Sequence, residues 1–334
     1  MGNPLISIVI PIYNGAWCVG RCLDSIYSQG LQPETFEVIC VDDCSTDDTR
    51  QVLGEYAAKY LNLTICKHVV NKRQGGGRNT GIKAACGDYV VFIDCDDCFA
   101  DGALLKLAAL LRENMILDVV MYDFQSIDVA HDNKLSSGCY VSRNSSEMMD
   151  GTAFLKSQEV SWYPWLYAFK RQFLVSNKIT FAENVRFEDS DFVLKCIAKA
   201  KAIEYVPLIA VLYNIYEGQT SKISNDTHKI IELFEATERV KLLAEEELKI
   251  NKEAVDVILR HHYFKYKINT LRYLWRLPVR DIFRVLKRYR PHVPCRDRLL
   301  AFCARHPVVF GCCVVAGKPF FPLLRKLYLI KRGR

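Results

Sequence analysis

VVFIDCDDCF, residues 90–99, opens as a buried strand and closes as a cluster of charge. Val90 to Ile93 are consecutive apolar residues of β-branched or aromatic type, the composition of a strand covered on both faces. Asp94, Asp96 and Asp97 then arrive within four positions. Carboxylates this close raise one another's pKa unless a cation sits among them. Their oxygens suit a hard divalent ion, Mn²⁺ or Mg²⁺, and an Mg²⁺ site commonly combines one or two carboxylates with substrate phosphates. Taken alone, Asp-x-Asp fits equally a solvated loop whose carboxylates cap the next helix. The surrounding chain decides between the two.

Working outward, ISIVIPIY (6–13), FEVICVDD (36–43) and LTICKHV (63–69) read as strands, and DVVMYDF (118–124) as a further one. Helices are expected between them. One runs from Ala16 to Ser28 with Val19, Cys22, Leu23 and Ile26 on a stripe, and another opens on a capping box of Ser45 and Asp48 and continues to Tyr60. A glycine-rich loop at 75–77 leads into a third from Arg78 to Ala85, and a fourth runs from Asp101 or Gly102 to Asn114. Alternating strands and helices predict an α/β fold, an open and mostly parallel sheet with helices on both faces. Ligands of such sheets bind outside the carboxyl ends of the strands. Asp43 and Asp94 lie at such ends and Asn14 just past one, which gathers three distant stretches into one candidate site.

The 334 residues are half hydrophobic and one quarter charged, the balance of an ordinary globular protein with a sizeable core. The start shows no basic segment followed by an apolar one, so no signal peptide is expected, and the run from Leu5 to Ile12 is too short to span a bilayer. Fourteen scattered cysteines read as reduced core residues. The pairs Cys18/Cys22, Cys40/Cys44 and Cys95/Cys98 lack the His cluster that would accompany them in a structural zinc site. Net charge is +7, yet Arg260 to Arg334 holds 19 Lys and Arg against Asp281 and Asp297, a surplus of 17, which leaves residues 1–259 at −10. A basic tail on an acidic body calls for a polyanionic partner.

SIVIPIYN, VICVDDCSTDDT, GGGRNTGIKAACGDYVVFIDCDD and WLYAFKRQFL…ITFAENVRFEDSDF occur in that order over residues 4–216. Together they resemble the family 2 glycosyltransferases, nucleotide-sugar-dependent enzymes of the Rossmann-like GT-A fold. The resemblance implies a role for each residue that its chemistry can bear. Tyr13 flanks the base, with Pro11 shaping that edge and Asn14 beside it. Asp43 accepts a hydrogen bond from a uracil ring. Arg78 faces the base or the diphosphate, Asn79 fixes the loop, and glycines 75–77 permit close backbone approach. Gly77 stands where the family has Ala. Asp94 contacts the ribose, Asp94 and Asp96 hold the metal, and Asp97 supports them or caps the next helix; Asp42 takes a structural, capping part. In FEDSDF (187–192) the family pattern makes Asp189 the base that takes a proton from the acceptor hydroxyl, with Asp191 the competing choice and Glu188 on the acceptor side. Trp165 forms a wall for the acceptor sugar or a core contact. Tyr213 and Tyr216 read as packing residues of the closing strand.

The implied activity is metal-dependent transfer of a sugar from a nucleoside diphosphate, UDP first, to an acceptor hydroxyl with inversion, in assembly of a bacterial surface glycan. The competing class is a non-catalytic nucleotide-sugar or anionic-lipid-binding protein. Cys-x-x-Cys at 95–98 suggests dithiol chemistry, but the two carboxylates between the thiols oppose thiolate formation. No P-loop and no G-x-G-x-x-G is present. Residues 1–225 are expected to form the catalytic domain and 226–334 a helical, basic extension. RYLWRLPVRDIFRVLKRYRP (272–291) and residues 308–334 interleave basic and apolar side chains as interfacial helices do, which predicts docking on anionic lipid, a glycan or glycolipid acceptor, and a peripheral position on the cytoplasmic face of the cell membrane. No zinc finger or RNP motif argues for nucleic acid.

Overall fold

The computed structural model describes residues 3–129, 134–139, 147–157, 160–216, 227–249, 251–263, 273 and 277–282. Most of the basic tail lies outside the described residues, including the expected interfacial helix over 308–334 and all of 272–291 except residues 273 and 277–282. No helix among the described residues is long and apolar enough to cross a membrane. The chain divides into two compact units, Met1–Gln219 with Val240–Leu259, and Thr220–Arg239 with Arg260–Arg334.

In the first unit nine strands among the described residues form one sheet. They are β1 (Ile6–Ile12), β2 (Phe36–Asp42), β3 (Leu63–Lys67), β4 (Tyr89–Phe92), β5 (Cys98–Phe99), β6 (Val119–Asp128), β7 (Lys134–Cys139), β8 (Tyr167–Lys170) and β9 (Ile203–Ile215). Their order is β3-β2-β1-β4-β8-β6-β9-β5, with β7 paired to β6. The first four are parallel, β8 runs against both β4 and β6, and β9 is parallel to β6, so six of the nine strands point one way. Every residue of β1 and β4 is buried, as continuous apolar strands in a sheet covered on both sides must be. The chain steps outward from β1 to β3 and then crosses to β4 on the other side of β1. That reversal leaves a crevice at the carboxyl ends of β1, β2 and β4.

Helices of this unit include α1 (Val19–Tyr27), α2 (Thr49–Lys59), α3 (Arg73–Ala84), α4 (Ala103–Glu113), α5 (Gly151–Ser157), α6 (Arg171–Ser176) and α7 (Asp189–Lys199). Val19, Cys22, Leu23 and Ile26 form the buried stripe of α1, as the spacing predicts. Two expectations fail. The helix after β2 starts at Thr49, and Ser45 is not its cap: the Ser45 hydroxyl instead accepts the Asn14 amide at 2.9 Å. Glycines 75–77 are not a loop but lie inside α3. Three consecutive glycines have poor helix propensity, yet here packing outweighs it. A Cβ on Gly75 would sit 2.2 Å from the Ala182 carbonyl oxygen, and one on Gly81 2.1 Å from Val9 Cγ1, so the helix lies against its neighbours only because these side chains are missing.

Of the remaining helices, α8 (Thr227–Leu242) begins where the sequence periodicity turns helical, and Ile230, Leu233, Phe234 and Thr237 form its buried stripe. Helix α9 (Lys252–Val257) is capped by Asn251, whose side chain accepts the Ala254 amide at 3.0 Å.

Candidate functional site

Each strand end contributes to the crevice. β1 delivers Pro11, Tyr13 and Asn14. Pro11 is buried, and a Cβ on Gly77 of α3 would lie 3.0 Å from its Cβ, so the two backbones are in close contact. Tyr13 is 53% exposed, a large aromatic ring left facing solvent. Asn14 has φ 51°, a left-handed conformation that Asn tolerates better than most residues. Its side-chain oxygen accepts the Thr46 amide at 2.9 Å, which ties the loop after β1 to the loop after β2.

Asp42 and Asp43 leave β2 in opposite roles. Asp42 is buried and structural: it accepts the Ser45 amide at 2.9 Å and pairs with Arg50 Nε at 2.7 Å. Asp43 Oδ1 accepts the Lys72 amide at 2.8 Å and bonds His68 Nδ1 at 2.7 Å, while its own amide donates to the Ile12 carbonyl at 2.8 Å. The last bond sets Asp43 beside Tyr13.

At the end of β4, Asp94, Asp96 and Asp97 each offer an oxygen within 4.8 Å of the others. Burial, and then the neighbouring carboxylates, push Asp96 up and Asp97 well up from the ordinary carboxylate range. Asp97 Oδ1 accepts the Asn214 amide at 2.9 Å, but its buried Oδ2 has no hydrogen-bond partner. A buried, orphaned carboxylate oxygen among crowded acids is what a divalent cation would satisfy, so the cluster of Asp94, Asp96 and Asp97 fits an ion such as Mn²⁺ or Mg²⁺.

Arg78 joins this cluster to the acidic loop. It is 2% exposed, donates from Nη2 to Asp94 Oδ1 at 2.8 Å and from Nη1 to Glu188 Oε1 at 2.6 Å, and lies over the Phe181 ring with Cζ 5.4 Å from its centroid. Burial works against its charge, but Asp94, Glu188 and Asp189 outweigh burial and raise its pKa. Glu188, expected on the acceptor side, is buried with Oε1 committed to Arg78. Asn79 clamps the backbone of the same loop: its side chain accepts the Phe181 amide at 2.9 Å and donates to the Phe181 carbonyl at 3.0 Å.

Asp189 is the first residue of α7, where the helix N-terminus favours a carboxylate. Burial and the Glu188 charge win against that and against Arg78, and the pKa of Asp189 rises to about 7. Its Oδ1 is sealed from solvent without a hydrogen-bond partner. Asp191, two residues later, is partly exposed.

Trp165 is 3% exposed, packed between Tyr163 (centroids 5.0 Å, 11° between planes) and Tyr213 (5.7 Å, 10°). The indole is therefore the middle of a stack whose outer ring, Tyr163, is 46% exposed. Tyr216, read from sequence as packing, also meets the acidic cluster: its hydroxyl donates to Asp96 Oδ2 and its ring sits edge-on to Trp17 at 5.0 Å. The Asn214 side chain donates to the Asp96 carbonyl at 2.8 Å. Both contacts follow from the β5–β9 ladder, in which Cys98 faces Leu212. Continuing that antiparallel register brings residue 214 opposite 96. A two-residue strand leaves no periodic signal in sequence, so neither contact was legible there. His68 was not singled out from the sequence either, although it follows the end of β3 as Asp43 follows the end of β2. Cys18 and Cys95 Sγ lie 3.8 Å apart; the Cys18 contact and burial push the Cys95 thiol well up, away from reactivity.

The family model described as Glycosyl transferase family 2 matches residues 7–182. A poly(ribitol-phosphate) beta-glucosyltransferase of Bacillus spizizenii is 34% identical over 201 residues, covering 59% of this chain and 30% of that protein. An uncharacterized glycosyltransferase of Escherichia coli, YibD, is 24% identical over 274 residues, covering 79% of this chain and 76% of the relative. The chain thus spans under a third of the first of these relatives. Among solved structures, Staphylococcus aureus TarS 1–349 in complex with UDP-GlcNAc superposes with TM-score 0.61 at 21% identity, covering 92% of this chain and 89% of that one. The mannosyltransferase PcManGT of Pyrobaculum calidifontis, in complex with GDP-Man and Mn²⁺, gives TM-score 0.53 at 18% identity, covering 98% and 85%. At these identities the likeness establishes the GT-A fold.

Proposed function

The chain belongs to glycosyl transferase family 2, and we propose that it moves a sugar from a nucleoside diphosphate, UDP first, to an acceptor hydroxyl with inversion. The observation that carries this reading is the buried bridge Asp94–Arg78–Glu188, which holds the strand-end carboxylates and the acidic loop in one site. The donor then lies across the carboxyl ends of β1, β2 and β4. Its base stacks against exposed Tyr13, over the edge formed by Pro11 and Asn14, and a ring N–H donates to Asp43. Asp94 takes the ribose, and Asp94 with Asp96 would hold Mn²⁺ or Mg²⁺. A divalent ion bound there would supply positive charge to offset that of the departing diphosphate.

Arg78 adds positive charge from the other side of Asp94. Glu188 and Asn79 act by holding Arg78 and the acidic loop in place. Asp189 takes the proton from the acceptor hydroxyl as that oxygen attacks the anomeric carbon. A carboxylate titrating at about 7 is matched to that task near neutral pH. The acceptor sugar packs on the exposed face of Tyr163, with Trp165 as the rigid backing of that ring.

The acceptor we propose is a surface glycan or glycolipid, in line with the poly(ribitol-phosphate) named for the Bacillus relative. The basic tail would hold the enzyme at an anionic membrane face, peripheral and cytoplasmic. The test is release of UDP from a panel of UDP-sugars with Mn²⁺, repeated with EDTA and with Asp96→Asn. Metal-dependent release from one donor, lost in the variant, is expected; release that is indifferent to both would refute the reading.

A further inference from the structure

We propose that His68 is a positioning residue for the donor's base: it fixes Asp43 so that one carboxylate oxygen meets the ring N–H, and so favours a uracil over a cytosine nucleotide. The inference rests on the donor reading above and adds to it a residue that reading does not use.

The geometry constrains the hydrogens. The Lys72 amide is a fixed donor, so Asp43 Oδ1 is an acceptor. His68 Nδ1 lies 2.7 Å from the same oxygen and must therefore carry a proton. Its Nε2 lies 2.8 Å from Thr80 Oγ1. In neutral imidazole Nε2 accepts the threonine hydroxyl; in imidazolium it donates to it. Either way Nδ1–H stays on Asp43. The ring is nearly buried, with 8% of its side chain exposed, and it links the end of β3 to the end of β2 and to α3, two residues beyond Arg78.

Two donors thus occupy Oδ1, and Oδ2 takes no hydrogen bond from the described residues. A carboxylate rotates about its last torsion, and one backbone donor leaves that torsion soft. The second donor, from a ring pinned at both nitrogens, pre-orients the free oxygen beside Tyr13. Uracil presents a ring N–H to such an oxygen. Cytosine presents a lone pair at the same ring position and is repelled, and a polar site of this kind discriminates more sharply than a change of shape does.

The test uses two amide variants of the full-length chain. His68→Asn puts an N–H near the place of Nδ1 and keeps the donor to Asp43. His68→Gln reaches the place of Nε2 and keeps only the Thr80 contact. UDP and CDP binding are measured by calorimetry beside melting temperature. His68→Gln should weaken UDP about tenfold, the scale of one charge-assisted hydrogen bond, and lower the UDP:CDP ratio. His68→Asn should stay within about threefold of wild type. Thr80→Val, which touches only the far anchor, should weaken UDP a few-fold and lower the same ratio; it provides the reading if a His68 variant does not fold. An unchanged UDP:CDP ratio in His68→Gln or in Thr80→Val would overturn the assignment, whatever happens to the melting temperature. Wild-type protein that binds neither nucleotide would instead overturn the donor reading, and with it this inference.

Discussion

Replacing Arg78 by Met removes the only cation that contacts both Glu188 and Asp94 among the described residues. The side chain is similar in length, so the main loss is electrostatic. Glu188 is buried, and removing one partner of a buried pair costs about 3–5 kcal/mol. With an unfolding entropy of about 2.1 cal/mol/K per residue, a unit of roughly 240 residues loses about 2 °C per kcal/mol, so a fall of about 6–10 °C in Tm is expected. The fall should depend on pH. Burial raises the pKa of Glu188 and Arg78 pulls it back, so the variant's Glu188 titrates higher still. A carboxyl whose folded pKa exceeds its unfolded value contributes stability below the unfolded value and loses it as pH rises through the folded one. The deficit is therefore largest near pH 8 and shrinks on acidification towards pH 5. Adding Glu188→Gln should recover part of it at pH 8, because the unpaired charge is gone. Differential scanning calorimetry across that range is the assay. A Tm at pH 8 within about 1 °C of wild type, or a deficit that grows as pH falls, would refute the argument.

Asp189→Asn should leave UDP binding intact and lower sugar transfer by about 10²–10⁴-fold, the usual weight of general-base catalysis; retained transfer would move the base to Asp191. Because Asp189 must be ionised to accept a proton and titrates at about 7, the wild-type transfer rate should fall as pH drops below that value, and a profile flat from pH 8 to 5.5 would count against it. Tyr216→Phe removes the hydroxyl bonded to Asp96, so the Mn²⁺ concentration for half-maximal turnover should rise about tenfold; no rise would reduce Tyr216 to packing. Removing residues 295–334 should weaken flotation with liposomes rich in anionic lipid, and unchanged flotation would end the docking idea.

Much of the sheet was legible because its inner strands are continuous apolar runs ending in polar residues at one edge. The rule that ligands sit at carboxyl ends of strands then selected Asp43 and Asp94 without knowledge of the topology. What failed was local. Ser45 and Asp48 have the spacing of a capping box, but the Ser45 hydroxyl is taken by the Asn14 amide from another loop, a long-range contact that spacing cannot express. Glycines 75–77 read as a loop on propensity, and the structure makes them helix because Gly75 must clear the Ala182 carbonyl. The roles of Glu188 and Trp165 depended on burial. One is spent on Arg78 and the other lies inside a ring stack, and neither fact is written in the neighbouring residues. Tyr216 reaches Asp96 through a two-residue ladder too short to leave a pattern.

The most direct test of the account is calorimetric titration of UDP into the full-length chain with Mn²⁺, wild type beside Asp43→Ala. The account predicts saturable binding by the wild type and an affinity at least about tenfold lower in the variant, because the carboxylate that meets the base is gone. No binding by the wild type, or equal binding by both, would contradict it.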